Sequence, residues 1–382
     1  MTEPHSTGMH PIRLGIIGTG LAVRRLHWPA LRQMPDRFTI AGFANRTRST
    51  AEEFAGMAGL SMDAYVADYQ ALLRRADIEL VLVCVPIARL LTITRDSLAA
   101  GKHVICEKPP GVDLAEARQF LALEAQYPGQ RLMMTENFFY RDDLRLARAR
   151  VEAGDIGHPR LLVEHWVERM VPIPGEFSST PWRYRNPAHR GGPLLDAGVH
   201  SVATMRLLGG DITRVTARTE WLNPTMQAPS ALAMTFSLAN QASGNCTWGF
   251  MGNPVPDEVR STRLYGTEGT LIVTRGQVRC IHADGTIEED RIEPLDTGHY
   301  NMFTNFFDGL VYREPVVATV RQGVENMLVV MQALASADAG VPREVSAVGI
   351  PPAAGGVPLW RPRGAGTLFD GLPCRVRRTT HA

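Results

Sequence analysis

Apolar residues fall into a short run at Ile12–Ile17, broken only by Arg13 and Gly15, which leads straight into Gly18-Thr19-Gly20. Leu21–Leu31 then carries an apolar stripe at helical spacing, so the segment reads as strand, tight turn and helix. Phe38–Ala44 is a second strand and Glu79–Val85, closed by Pro86, a third. Arg89–Ala100 reads as a helix stopped by Gly101, Lys102–Cys106 as a strand, Asp113–Ala125 as a helix and Arg131–Thr135 as a strand. This alternation predicts a parallel sheet covered on both faces, with ligands bound at the carboxyl ends of its strands.

The pattern changes in the second half. Arg160–Arg169, Ile212–Trp221, Ser230–Ala239, Gly244–Phe250, Arg263–Tyr265, Thr270–Thr274 and Val278–His282 read as closely spaced strands, with a hairpin turn at Ala283-Asp284-Gly285-Thr286. Strands so close together predict an antiparallel sheet. A helix over Val324–Ala337 shows a core stripe of Val324, Leu328, Met331 and Leu334. From Ser346 onward Pro and Gly crowd the chain. Trp360, Leu368 and Phe369 are the points at which this tail would dock, the alternative being a low-complexity segment that docks nowhere. The resulting division is 10–135, 136–345 and a tail over 346–382.

A chain of 382 residues is long enough for two domains. With 40 basic residues against 39 acidic ones, the net charge of +1 gives no reason to expect nucleic acid or an anionic membrane as partner. The five cysteines, Cys84, Cys106, Cys246, Cys280 and Cys374, form no CxxC pair, and free thiols in a reducing compartment are expected, with no metal site. The residues before Ile12 lack an apolar core and Leu80–Pro86 is too short to span a membrane, so a cytoplasmic location is the expectation.

Chemistry concentrates at five stretches. Gly18, Thr19, Gly20, Leu21 and Ala22 form a glycine turn opening a helix, a place for a dinucleotide pyrophosphate. Val23 stands where a third small residue is usual. After the second strand come Asn45, Arg46, Thr47 and Arg48 in place of the carboxylate that an NAD ribose prefers; the guanidinium groups favour the 2′-phosphate of NADP. The third and fourth strands deliver Cys84-Val85-Pro86 and Cys106-Glu107-Lys108-Pro109 to the same sheet end. Finally, Gly191–His200 reads GGPLLDAGVH: Gly192 and Pro193 enter a helix that continues past Met205 and Leu208, with Gly209 as its left-handed exit. Asp196 and His200, one turn apart, share a face opposite Leu195, Val199 and Val202. Such a pair moves protons, or else makes structural hydrogen bonds in a capped core helix.

Gly101–Pro109, GKHVICEKP, resembles the glucose–fructose oxidoreductase/inositol dehydrogenase (Gfo/Idh/MocA) family of sugar and polyol dehydrogenases. GIIGTG with His27 and Pro29-Ala30-Leu31, then Trp182-Arg183, GGPLLDAGVH and Tyr265–Thr270 agree with the family in order, over about residues 11–345. The resemblance implies an α/β fold: an N-terminal Rossmann domain followed by an α+β domain with a large, mostly antiparallel open sheet. It also implies Lys108, Asp196 and His200 as catalytic residues and Trp182 and Arg183 beside the nicotinamide. Two departures are Val23 and the absence of a histidine in Ile87–Leu91.

The reading that follows is an NADP(H)-dependent oxidoreductase, with NAD as the other cofactor, acting on a carbinol or ketone carbon of a sugar, polyol or related cyclic compound. His200 would serve as base, Lys108 would stabilise a developing alkoxide, and Asp196 would orient substrate or imidazole. The three are expected to converge in a cleft between the two sheets. Tyr140, His165, Arg183, Tyr184 and His189 are candidates for the substrate lining. Other readings are a keto-sugar reductase, a dinucleotide sensor without turnover, and a redox-neutral glycosidase that retains its cofactor. A homodimer or homotetramer is expected, because one face of the second sheet needs a cover.

Overall fold

Leu80–Val83 is buried at every position, which only a strand covered on both faces can be. It is β4 of a parallel sheet built from β1 (Ile12–Ile17), β2 (Phe38–Ala44), β3 (Tyr65–Val66), β4, β5 (His103–Cys106) and β6 (Leu132–Met134). The strand order is β3-β2-β1-β4-β5-β6. The order reverses between β1 and β4, and the glycine turn lies at that switch point. The computed structural model describes residues 10–181, 191–255, 260–345, 356–372 and 375–381.

The helix after the turn carries a wide π-type turn over Val23–His27 before Trp28–Leu31. Pro29 has no N–H to donate and its ring crowds the carbonyl four residues back, and a wider turn relieves both. It also places His27 fully inside the protein. Helices over Arg48–Ala58, Tyr69–Leu73, Asp142–Ala153 and His299–Val311, which the apolar pattern left unassigned, complete the layers.

The second sheet has ten strands among the described residues. They are β7 (Pro159–Arg169), β8 (Ile212–Glu220), β9 (Ala231–Leu238), β10 (Ser243–Met251), β11 (Ser261–Gly266), β12 (Gly269–Thr274), β13 (Gln277–His282), β14 (Thr286–Ile292), β15 (Arg343–Glu344) and β16 (Arg375–His381). Their order is β15-β8-β9-β10-β7-β11-β12-β13-β14-β16. Leu232, Met234, Phe236 and Leu238 of β9 are buried while Ala233, Thr235 and Ser237 are exposed, so one face meets the core. The sheet is mostly antiparallel, as expected, and β10 runs parallel to β7. Between β7 and β8 the chain passes through two helices, Gly192–Asp196 and Gly198–Gly209, and the β8–β9–β10 meander then returns beside β7 in the same direction. Val320–Ala339 packs beside the second of these helices.

The tail docks. Trp360 is buried, its carbonyl accepts from Arg145 Nε at 3.2 Å, and its ring lies under the Arg145 guanidinium at 4.6 Å. Beyond it, β16 pairs with β14 as a further edge strand, and Arg377 Nε donates to Asp290 at 3.1 Å.

Candidate active site

Strand β5 ends at Cys106 and delivers Glu107 and Lys108 to the carboxyl end of the first sheet. The Lys108 backbone N–H donates to Glu107 Oε2 at 3.2 Å and Thr135 Oγ1 at 3.3 Å, and the peptide to Pro109 is cis. Behind it, Glu107 Oε1 meets buried His27 Nε2 at 2.6 Å. Burial pushes the Glu107 carboxyl up, but the His27 hydrogen bond and charge, the Lys108 charge and Thr135 outweigh it and hold it at about 2. Lys108 therefore leaves the sheet from a fixed base.

Its ammonium crosses to the helix pair of the second half. Lys108 Nζ donates to Asp196 Oδ1 at 2.9 Å and to the Asp196 carbonyl at 2.7 Å. In an unbroken helix that carbonyl would accept from the His200 N–H. Here the His200 N–H bonds to the Ala197 carbonyl at 3.0 Å instead, and the helix is interrupted at Ala197. This corrects the expectation of one continuous helix from Gly192. The helix ends one residue later than expected, at Gly210 with φ 98° and ψ −178°, a positive-φ extended conformation and not a left-handed helical exit. Gly209 lies within the helix, where a Cβ would stand 2.7 Å from Leu162.

His200 lines a cleft together with Phe138, Thr204 and His299. The His200 Nδ1 lies 2.7 Å from Glu136 Oε1, and its ring stacks on Phe138 with centroids 4.5 Å apart. A carboxylate only accepts, so Nδ1 carries the hydrogen and Nε2 is left as the basic nitrogen. Glu136 is buried and is not among the sequence candidates; Asp196, expected to orient substrate or imidazole, bonds to Lys108. The signal was available, because Glu136 follows β6 just as Glu107 and Lys108 follow β5. Burial lowers the pKa of His200, with Lys108 adding to the effect, and this outweighs the opposing pull of Glu136 and Asp196. The imidazole is thus neutral at neutral pH, the form a base needs.

His299, on the wall of the same cleft, is held well below its ordinary range by burial first and His27 second. Both histidines have folded-state values below the 6.5 of an unfolded chain. Below that pH the unfolded state binds more protons, so stability should fall as pH drops from neutrality through the acid range. Thermal unfolding across this window checks the direction; a midpoint that rises on acidification contradicts it.

At the glycine turn, Gly18 has φ 91° and a Cβ there would come within 2.1 Å of the Cys84 carbonyl, so the turn packs against the end of β4. A Cβ on Gly20 would meet nothing within 4 Å, leaving the backbone open to close approach. The helix from Leu21 and Ala22 starts at this opening. The site thus fits a dinucleotide pyrophosphate. Thr19 N–H donates to Asn45 Oδ1 at 3.1 Å, and Asn45 Nδ2 donates to the Thr47 carbonyl at 2.8 Å, so Asn45 braces the turn. Arg48 is exposed and paired with Glu52 at 2.9 Å. Arg46 is exposed and has no ion pair with described residues. Cys84, Val85 and Pro86 lie at the same sheet end, and burial pushes the Cys84 thiol well above its usual range, so it stays protonated. His27, Cys84 and Glu107 place possible ligand atoms within 4.8 Å of one another, with the imidazole and carboxylate already bonded together.

Two substrate candidates are corrected. Tyr140 is wholly buried; its hydroxyl donates to Asn305 Oδ1 at 2.8 Å and accepts from the Ala318 N–H at 3.0 Å, a core bridge. His165 is exposed on the outer face of β7, since alternation turns its neighbour Glu164 inward. Trp182, Arg183, Tyr184 and His189 lie outside the described residues. The cleft instead brings in Phe138, Arg141, Trp166 and Arg260.

No helix among the described residues is long and apolar enough to cross a membrane. Residues 12–135 match the family model of the GFO/IDH/MocA oxidoreductase family, NAD-binding Rossmann fold, and residues 144–272 match the GFO/IDH/MocA C-terminal domain. The chain is similar to an uncharacterised protein of Saccharomyces cerevisiae, 27% identical over 266 residues, covering 69% of this chain and 74% of that one. It is 33% identical over 218 residues to a dTDP-3,4-didehydro-2,6-dideoxy-α-D-glucose 3-reductase of Streptomyces violaceoruber, covering 56% of this chain and 59% of the relative. Among solved structures, an oxidoreductase of Thermotoga maritima superposes with a TM-score of 0.79 at 28% identity, covering 88% of this chain and 99% of that one.

Proposed function

The chain belongs to the GFO/IDH/MocA oxidoreductase family, an NAD(P)-dependent dehydrogenase/reductase architecture, and from that premise we propose NADP(H)-linked hydride transfer at a carbinol or ketone carbon of a sugar or polyol. The observation that carries the reading is the junction of the two halves: Lys108 Nζ lies 2.9 Å from Asp196 Oδ1, and His200, four residues on, bonds to Glu136 just after β6 at 2.7 Å. Bound NADP(H) supplies the hydride chemistry. His200 Nε2 takes the hydroxyl proton in oxidation and returns it in reduction. Glu136 fixes the tautomer and stabilises the imidazolium. Lys108 places a cation beside the oxygen on which charge develops, and Asp196 aims it. The Streptomyces relative is a keto-sugar reductase, which supports reduction as the working direction.

The cofactor choice rests on Arg46, an exposed guanidinium just after β2 with no ion pair among the described residues. NADPH should bind more tightly than NADH, and Arg46→Ala should remove most of the difference. One charge-assisted contact contributes about 1.5–3 kcal/mol, or roughly tenfold or more in affinity. Titration of both cofactors against both proteins decides it; equal affinities in the unaltered chain overturn the preference.

A further inference from the structure

Three arginines line the cleft of about 480 Å³ beside His200: Arg141, Arg260 and Arg275. Phe138 spaces two of them from the base. The His200 imidazole stacks on its ring at 4.5 Å, while the guanidinium carbons of Arg141 and Arg260 lie 4.8 and 4.7 Å from the same ring centre. Neither guanidinium is farther from the imidazole than two such spacings, about the reach of one hexose ring with its substituents.

Both groups are held from behind with donors to spare. Arg260 Nη2 donates to Ser201 Oγ at 3.0 Å and Glu164 Oε1 at 3.3 Å, and its guanidinium lies 4.0 Å from the Trp166 ring centre, leaving Nε and Nη1. Arg141 spends Nε and Nη2 on Asp143 at 3.1 and 2.5 Å, leaving Nη1. A planar fork locked in this way loses little freedom when it binds an oxyanion. Burial and the Arg141 charge both act against the charged form of Arg260, and an anion between the two would relieve this. Arg275 is exposed and has no ion pair with described residues. The carboxylates on the same wall are engaged: Glu168 accepts from Trp166 Nε1 at 2.9 Å, and Asp296 from the Gly298 N–H at 3.0 Å. Burial pushes the Asp296 carboxyl up, towards its neutral form.

We propose that this cleft binds an oxyanion carried by the substrate, phosphoryl or carboxylate, about one sugar ring from the carbon that His200 serves. Arg260 and Arg141 are its ligands, and Arg275 draws it in from the rim. The proposal rests on the hydride-transfer reading of the same cleft.

The test is calorimetric titration of the full chain, saturated with NADP so that the dinucleotide site is closed to competing anions. The probes are glucose, glucose 6-phosphate, glucuronate and UDP-glucose. At least one anionic probe should bind about tenfold or more tightly than glucose. The winning probe tells a phosphomonoester, a carboxylate and a diphosphate apart. Arg260→Gln should erase the preference and Arg275→Gln should reduce it several-fold; the second is exposed and tests the site even if the first fails to fold. Glucose binding as tightly as all three anions, or a preference intact in both variants, overturns the site. Turnover is followed in parallel. Neutral sugars turned over without anion preference refute the oxyanion site and leave the reaction standing. An Arg-dependent preference without turnover of any sugar refutes the reaction and leaves the site.

Discussion

Lys108→Met lowers turnover by about a hundredfold or more while leaving the dissociation constant for NADPH within a few-fold. Methionine keeps most of the stem and removes the ammonium, so the oxygen on which charge develops loses its cation. The cofactor is spared because the glycine turn and Arg46 lie on other elements of the sheet. The substitution also removes the Lys108 ammonium from Asp196, a carboxylate that is only 8% exposed. A drop in thermal stability is therefore expected alongside. Lys108→Met combined with Asp196→Asn should recover stability and leave turnover low. Near-normal turnover in folded Lys108→Met on a confirmed substrate removes Lys108 from the chemistry.

His200→Ala should cost a comparable factor, and Glu136→Gln separates the base from the residue that orients it. The amide can donate or accept, so it no longer dictates which imidazole nitrogen carries the hydrogen. It also removes the charge that raises the proton affinity of His200. Oxidation should slow by about tenfold or more, and the acid limb of its pH profile should move to lower pH. The sign is fixed: the base works only when unprotonated, and without the Glu136 charge it stays unprotonated to lower pH. A slower enzyme whose acid limb stays in place would make Glu136 merely a packing residue.

Much of this molecule is legible in its sequence where a local pattern has one physical solution. Apolar runs alternating with striped helices demanded a parallel sheet, and its order and the glycine turn at the switch point follow. Asp196 and His200 stand out as a local pair one helical turn apart, and Lys108 stands out through the resemblance carried by its strand end. What escaped depends on groups far apart in the chain. The break at Ala197 comes from an ammonium 88 residues away that takes the Asp196 carbonyl. Arg260 enters the cleft only because β11 pairs with β7 and puts it beside Glu164 and Trp166. Strand β16 reads RVRRTTH, with no apolar alternation to announce it; its pairing is helped by Arg377 against Asp290 and Glu288 of β14. Tyr140 and His165 have side chains that suit a sugar, but burial and strand alternation place them elsewhere.

Hydride transfer between the nicotinamide and a sugar carbon changes the oxidation state of both, and its hydrogen can be followed. In one turnover of a keto-sugar with NADPH deuterated at the transferring position of the ring, the product is read by mass and NMR. Deuterium is expected on the new carbinol carbon, one equivalent per NADPH consumed, and is lost in Lys108→Met and His200→Ala. A product free of deuterium, or turnover in which NADPH is regenerated without net consumption, contradicts this transfer.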